Sequence, residues 1–403
     1  MSADTGGPAA AVDWSRAFAA RTRRRSAEVA AILAATPPGV LSLAGGFPHP
    51  DTFPAGAVDE LVAKILRDDA SALQYTPSDG VPGLRAFLAE RQELLQGRAP
   101  DGAELLVTSG GMEAIALACQ AMVDPGDVIA VEAPTYLGAL MAFAGFEAVL
   151  EEIPMDEQGL QVDALAERLA AGLRPKLLYV IPEYQNPTGR TLPLARREAL
   201  VELCRRHGVL ILEDVAYREI AFDDGPPPSL WSLAPDVVVQ AGTFSKIFAP
   251  GVRLGWAIGP RDVLAQMGAA KQTTDQCSNG FGQRIVEAYG RSGGFERQLP
   301  RSRELYAGHW RALEAALGRH LPEGCAWTTP AGGFFAWLTL PPSLDATALR
   351  PAAMEAGVTY VPGRAFHVGD GGRNALRLSF SYLSADDLDR AVARLAGVLR
   401  THL

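Results

Sequence analysis

The sequence predicts an α/β protein, with a large domain built on a mostly parallel sheet and a smaller α+β domain after it. Three observations carry this. From Asp101 onward, short and fully apolar runs alternate with amphipathic stretches, the pattern of strands buried on both faces by helices. Polar, glycine-containing motifs stand where those apolar runs end, the place where open α/β sheets bind ligands. After about Ser292 the alternation gives way to one long helical stretch and a different rhythm.

The elements follow in order. "ELLVTSG" reads as a strand and "GMEAIALACQAMV" as a helix with one apolar side. "DVIAVEAP" is a strand, "GALMAFAGF" a helix and "AVLEEIP" a strand. "KLLYVIP" is a strand, "LARREALVELCRRHG" a helix closed by Gly208, and "VLILEDV" a strand. "DDGPPPSLWSL", from Asp223 to Leu233, reads as a proline-rich surface loop. "VVVQAGTFS" and "RLGWAIG" complete the strands. The long helix "FERQLPRSRELYAGHWRALEAALGRHL" then leads through "AWTTPAGGFFAWLTL" into helix, strand and helix. This gives an N-terminal segment and arm over 1–55, packing with the small domain, a large domain over 56–292 and a small domain over 293–403.

Composition narrows the function. The chain has 403 residues, 48% hydrophobic and 21% charged, and a net charge of −9. That suits a soluble globular protein and argues against a nucleic-acid surface. Cys119, Cys204, Cys277 and Cys325 are scattered without CxxC or metal spacing, so reduced cytoplasmic thiols and no metal site are expected. No apolar run is long enough to span a bilayer, and the N-terminus lacks the pattern of a signal peptide. Lysines are few: Lys64, Lys176, Lys246 and Lys271. Lys64 lies in the amphipathic "ELVAKILRDD", Lys176 precedes a strand, and Lys271 sits in a helical, polar context. Lys246, in "AGTFSKIFAPGVRLGW", is the one placed at a strand end.

Singly, each strand-end motif is an ordinary turn. Together, "YTPSDGVPGLR" at Tyr75, "TSGGMEAI" at Thr108, "APTYLGAL" at Ala133 and "YVIPEYQNPTGR" at Tyr179 form an ordered series. It continues through "EDVAYREI" at Glu213, "GTFSKIFAPGVRLGW" at Gly242 and "NALRLSFS" at Asn374. The series resembles the fold-type-I pyridoxal-phosphate enzymes of aminotransferase class I/II over most of the chain. "LSLAGGFPHPDTFP" and "YVPGRAFHVGDGGRNALRLSFS" are similar to the 2-aminoadipate and kynurenine aminotransferase branch.

The resemblance implies pyridoxal 5′-phosphate as cofactor and a role for each matched residue. Lys246 would hold the cofactor covalently and then carry the substrate Cα proton. Asp214 would keep the cofactor's pyridine nitrogen protonated. Glu213, its neighbour, should point to the other face of the strand. Asn186 and Tyr217 would bond the phenolic oxygen, and Tyr136 would stack on the ring. Gly110, Gly111 and Met112, at a helix N-terminus, would receive the phosphate with Thr243, Ser245 and Arg253. Tyr75 would reach the phosphate of the partner subunit's site, so a homodimer with shared sites is implied. Arg377 would fork onto the substrate α-carboxylate, and Gly46 would line the substrate pocket.

The reaction implied is transamination between an amino acid and a 2-oxo acid. The same residues would serve β- or γ-elimination or replacement on an amino acid with a side-chain leaving group. Related domains also occur in transcription regulators, but the stretch before the matched region shows no helix-turn-helix pattern. One departure from the branch bears on the substrate. Its usual N-terminal arginine, positioned for a distal carboxylate, aligns with Ala30 here, and Arg23, Arg24 and Arg25 lie about two turns earlier. A neutral substrate, aromatic or large aliphatic, is therefore expected. Cys277, in a loop commonly near the active site, is expected to be a structural thiol.

Overall fold

The structure, a computed structural model, describes residues 12–19, 21, 22 and 36–403. Ala30 and Arg23, Arg24 and Arg25 lie outside the described residues.

The strands are β1 (Leu41–Ser42), β2 (Leu105–Thr108), β3 (Val128–Ala133), β4 (Val149–Asp156), β5 (Gly159–Leu160), β6 (Pro175–Val180) and β7 (Leu210–Asp214). They continue with β8 (Val238–Thr243), β9 (Gly255–Ile258), β10 (Ala326–Trp327), β11 (Phe335–Thr339), β12 (Val358–Thr359), β13 (Val361–Pro362) and β14 (Ala375–Ser379). Eight of them form one sheet in the order β2-β9-β8-β7-β6-β3-β4-β5. The run β8-β7-β6-β3-β4 is parallel, and β9 and β5 run antiparallel to their neighbours.

Alternation along these strands feeds two apolar layers. Leu106, Ile129, Leu177, Leu212 and Val239 face one layer, which includes Ile115 and Leu117 of the helix Gly111–Met122 and Leu264 of the helix Arg261–Thr274. Val107, Ala130, Leu178, Ile211 and Val238 face the other, with Leu200 of the helix Leu194–His207 and Leu84 of the helix Pro82–Gln96. Gly208, at φ +65°, ends the first of these as a left-handed cap.

A second, antiparallel sheet has the order β10-β11-β14-β13. The helices Gly294–His320 and Ala385–His402 supply Leu313, Leu317, Leu388 and Leu395 to the core that holds Leu376 and Leu378. The segment before the first long helix bridges toward this sheet. β1 pairs in parallel with β12, and the Ser379 N–H donates to the Leu43 carbonyl at 2.8 Å.

One reading needs correction. The stretch Asp223–Leu233 is a surface loop only in its first half. Ser229 then caps a short helix, Leu230–Leu233, whose Leu230 and Trp231 are buried. Lys271 does sit in a helical, polar context, and there its side chain is wholly buried among carboxylates.

Candidate active site

The C-terminal ends of β2, β3, β6, β7 and β8 open on the same edge of the sheet, because all five strands run in the same direction. At one end of this edge β2 turns through Gly110 (φ +87°) into the helix Gly111–Met122, which no side chain caps. Its first N–H groups and the positive end of its dipole face outward. Arg253, itself left-handed at φ 53°, lies against this turn, since a Cβ built on Gly110 would stand 2.9 Å from its guanidinium. Among the described residues no carboxylate forms an ion pair with Arg253. A guanidinium against a helix N-terminus is a repulsive arrangement unless an anion sits between them. The Thr243 hydroxyl donates to Ser245 Oγ at 3.0 Å and lies beside Gly111. Gly255 permits the arrangement. A Cβ there would be 2.5 Å from the Gly242 carbonyl oxygen and 2.7 Å from the Gly110 carbonyl carbon.

In the middle of the edge, β7 ends on Asp214. Its carboxylate accepts from the Tyr179 hydroxyl at 2.8 Å and from the Ala216 N–H at 3.1 Å. Among the described residues it has no salt bridge, and burial raises its proton affinity above the ordinary carboxylate value. A carboxylate held there calls for a cationic N–H partner. Glu213 does point the other way, accepting from the Leu230 and Trp231 N–H groups and from Gln240. Tyr136 folds back over Gly138, where any Cβ would meet its ring at 2.4 Å. The charges that act on its phenol belong to Asp214, Arg377 and Arg253. Tyr217 is buried against the Phe334 and Phe335 rings, and burial pushes its phenol well above the usual value.

At the other end, Lys246 Nζ donates to the Gly46 carbonyl at 2.9 Å. Burial and the nearby Arg377 lower its pKa to about 8, against the opposing pull of Asp214. The neutral amine that a nucleophile and proton carrier needs is therefore far more abundant near neutral pH than in an ordinary lysine, although it is still the minor form there. Arg377 is buried on β14. Its guanidinium donates to Asn186 Oδ1 at 2.8 Å and to the Ala44 carbonyl, and packs over the Phe335 ring at 4.1 Å. Its Nε is buried without a partner. Gly46 is confined by Phe335, whose ring would lie 2.4 Å from a Cβ.

Thus Gly110, Gly111, Met112, Tyr136, Asn186, Asp214, Tyr217, Thr243, Ser245, Lys246, Arg253, Arg377 and Gly46 all gather along this edge. Tyr75 does not, and is 81% exposed on the surface of the chain. Sequence reasoning missed Tyr179, which it read only as strand core, and the aromatic wall of Phe334, Phe335 and Phe366. The double aromatic in "GGFFAW" was the available signal for that wall.

The donor set fits pyridoxal phosphate. Among the described residues there is an anion cup whose arginine forms no ion pair, a carboxylate with no salt bridge, an amine of lowered pKa and an arginine with an unpartnered buried Nε. Such a constellation, at the strand ends of this fold, defines a pyridoxal-phosphate enzyme. Residues 39–395 match the family of aminotransferase class I and II, and the chain belongs to that family. It is 37% identical to "Aromatic-amino-acid aminotransferase 1" of Thermococcus litoralis, over 90% of this chain and 89% of the relative. It is also 37% identical to the 2-aminoadipate transaminase of Thermus thermophilus, over 96% of this chain and 98% of the relative. The crystal structure of LysN, the α-aminoadipate aminotransferase of Thermus thermophilus, complexed with N-(5′-phosphopyridoxyl)-L-leucine, superposes with a TM-score of 0.90. That match is 36% identical and covers 97% of this chain and 99% of the other. The protein is a pyridoxal-phosphate-dependent amino-acid aminotransferase.

Proposed function

We propose that this aminotransferase takes neutral amino acids, aromatic or large aliphatic, as donors, at a site shared between two copies of the chain. When bound, pyridoxal phosphate takes up the electron pair released at the substrate Cα. The chain's own residues do the rest. The turn Gly110–Met112, Thr243, Ser245 and Arg253 bind the phosphate, and Asp214 holds the proton on the pyridine nitrogen, itself oriented by Tyr179. Asn186 and Tyr217 hold the phenolic oxygen, and Tyr136 covers the ring. Arg377 grips the substrate α-carboxylate with its free N–H edge, and its stacking on Phe335 fixes the plane of the fork. Lys246 Nζ, as the neutral amine, would take the proton from Cα.

One observation carries the substrate reading. The cations acting on Lys246 are Arg377 and Arg253. One answers the α-carboxylate and the other the phosphate, which leaves no third among the described residues that act on Lys246 for a distal carboxylate. The walls near Gly46 and Arg377 are Phe335 and Phe366. The leucine adduct of the Thermus structure and the aromatic name of the Thermococcus relative also support a neutral side chain. Exposed Leu73 and Tyr75 support a surface for a second copy.

The test is single-turnover loss of the lysine-bound cofactor's absorbance with one amino acid and no 2-oxo acid. Leaving a side-chain carboxylate unpaired costs on the order of a few kcal/mol, or roughly a hundredfold in kcat/KM. Phenylalanine or leucine should therefore outpace 2-aminoadipate by about that factor, and Ala30→Arg should narrow the gap. A clear preference for 2-aminoadipate in the unaltered enzyme would overturn the reading.

A further inference from the structure

The wholly buried Lys271 has no part in the chemistry above. It sits near the end of the helix Arg261–Thr274, and its Nζ donates to Glu113 Oε2 at 2.8 Å, to both Asp275 oxygens at 2.8 and 2.9 Å, and to Ser278 Oγ at 2.9 Å. Both carboxylates reach onward to one residue. Glu113 Oε2 accepts the Ser109 N–H at 2.5 Å, and Asp275 Oδ2 accepts the Ser109 hydroxyl at 2.7 Å. Ser109 is the residue immediately before Gly110, where the anion cup begins. The turn is thus clamped at its backbone and its side chain by two carboxylates that share one ammonium.

We propose that Lys271 is a positioning residue for the cofactor phosphate, acting through Glu113 and Asp275 on the Ser109–Gly110 turn. Two physical arguments favour this over a merely structural ion pair. A buried charge cluster is on average no more stabilising than an apolar core of the same volume, so stability alone does not account for it. The cluster also sits where charge matters most, because Glu113 lies in the first turn of the helix that receives the phosphate. Without Lys271 that carboxylate would be free to move and would repel an incoming dianion. With it, Glu113 shares the ammonium with Asp275 and holds the Ser109 N–H, while the N–H groups of Gly111 and Met112 are left for the ligand.

This inference rests on reading Gly110–Met112 and Arg253 as the phosphate cup, and the experiment separates the two. Dissociation constants of the apoenzyme are measured by equilibrium dialysis for pyridoxal phosphate and for pyridoxal, which lacks the phosphate. In Lys271→Met the constant for pyridoxal phosphate should rise about tenfold or more, as for a lost charge-assisted contact, while that for pyridoxal stays unchanged. Ser109→Ala keeps the ion cluster and cuts its side-chain link to the turn. It should show a smaller loss of the same phosphate-only kind, and it decides the matter if Lys271→Met fails to fold. Equal losses for both ligands, or no loss for either, would overturn the inference. Arg253→Met is the control. If it too binds both ligands like the unaltered enzyme, the cup itself is misread and the inference falls with it. If Arg253→Met loses phosphate selectivity and Lys271→Met and Ser109→Ala do not, the inference alone fails.

Discussion

At the scale of single residues the proposed mechanism rests on Asp214 and Lys246, and each has a testable consequence. Asp214 has two hydrogen bonds and, among the described residues, no salt bridge, so its charge is free for the pyridine nitrogen. Asp214→Asn should keep the cofactor but lower kcat on the order of a hundredfold or more, since an amide does not hold that proton as a carboxylate does. Near-normal turnover in that variant would remove Asp214 from the role. Lys246 has its pKa lowered to about 8 by burial and by Arg377. Below that value the amine is mostly protonated and unreactive. Capture of pyridoxal phosphate by the apoenzyme should therefore quicken about tenfold per pH unit up to about 8 and level off above, as followed by cofactor absorbance. A rate still climbing tenfold per unit above about pH 9 would contradict the lowered pKa. Lys246 was legible because the chain has so few lysines and this one ends an apolar strand. Tyr179 and the link from Lys271 to the anion turn were not legible, because Asp214 lies 35 residues from Tyr179 and Glu113 lies 158 residues from Lys271, on other elements. Periodicity shows which face a side chain takes but not what it meets there.

The elements matter through where they end. Parallel strands deliver their carboxyl termini to one edge, and this places Thr108, Asp214 and Thr243 together although they are far apart in sequence. β9 returns antiparallel between β2 and β8, and Gly255 lets the Gly110 turn settle directly on it. The atoms a Cβ would strike are backbone and cannot swing aside. Gly255→Ala should therefore cost about 1–3 kcal/mol of stability as overpacking and also weaken cofactor binding. Thermal unfolding of the apoenzyme, together with equilibrium dialysis, checks both. An alanine variant with unchanged melting and affinity would show the contact to be slack. The strands and the long helix were readable because each repeats one period over many residues. The second half of Asp223–Leu233 was misread because four residues, capped by Ser229, are too few to show a helical period among prolines.

At the scale of the whole molecule, Tyr75 stands out on the surface of the chain that carries it while every other candidate residue faces the strand-end edge. If two copies share their sites, a Lys246→Ala chain and a Tyr75→Ala chain should complement on verified subunit exchange. One site of the mixed dimer would then combine Lys246 from one copy with Tyr75 from the other. Activity above that of either parent is expected, and its absence would argue that each chain is self-sufficient. The order of motifs made the family legible before any geometry, because the fold needs its strand-end residues in that sequence. The Ser109–Lys271 clamp and the aromatic wall became visible only once distant elements were brought together. The account as a whole requires that all the strand-end motifs converge on one amine. Borohydride reduction of the holoenzyme followed by peptide mapping tests this most directly. The account predicts a stable pyridoxyl label on Lys246 alone, and a label on Lys64, Lys176 or Lys271 would contradict it.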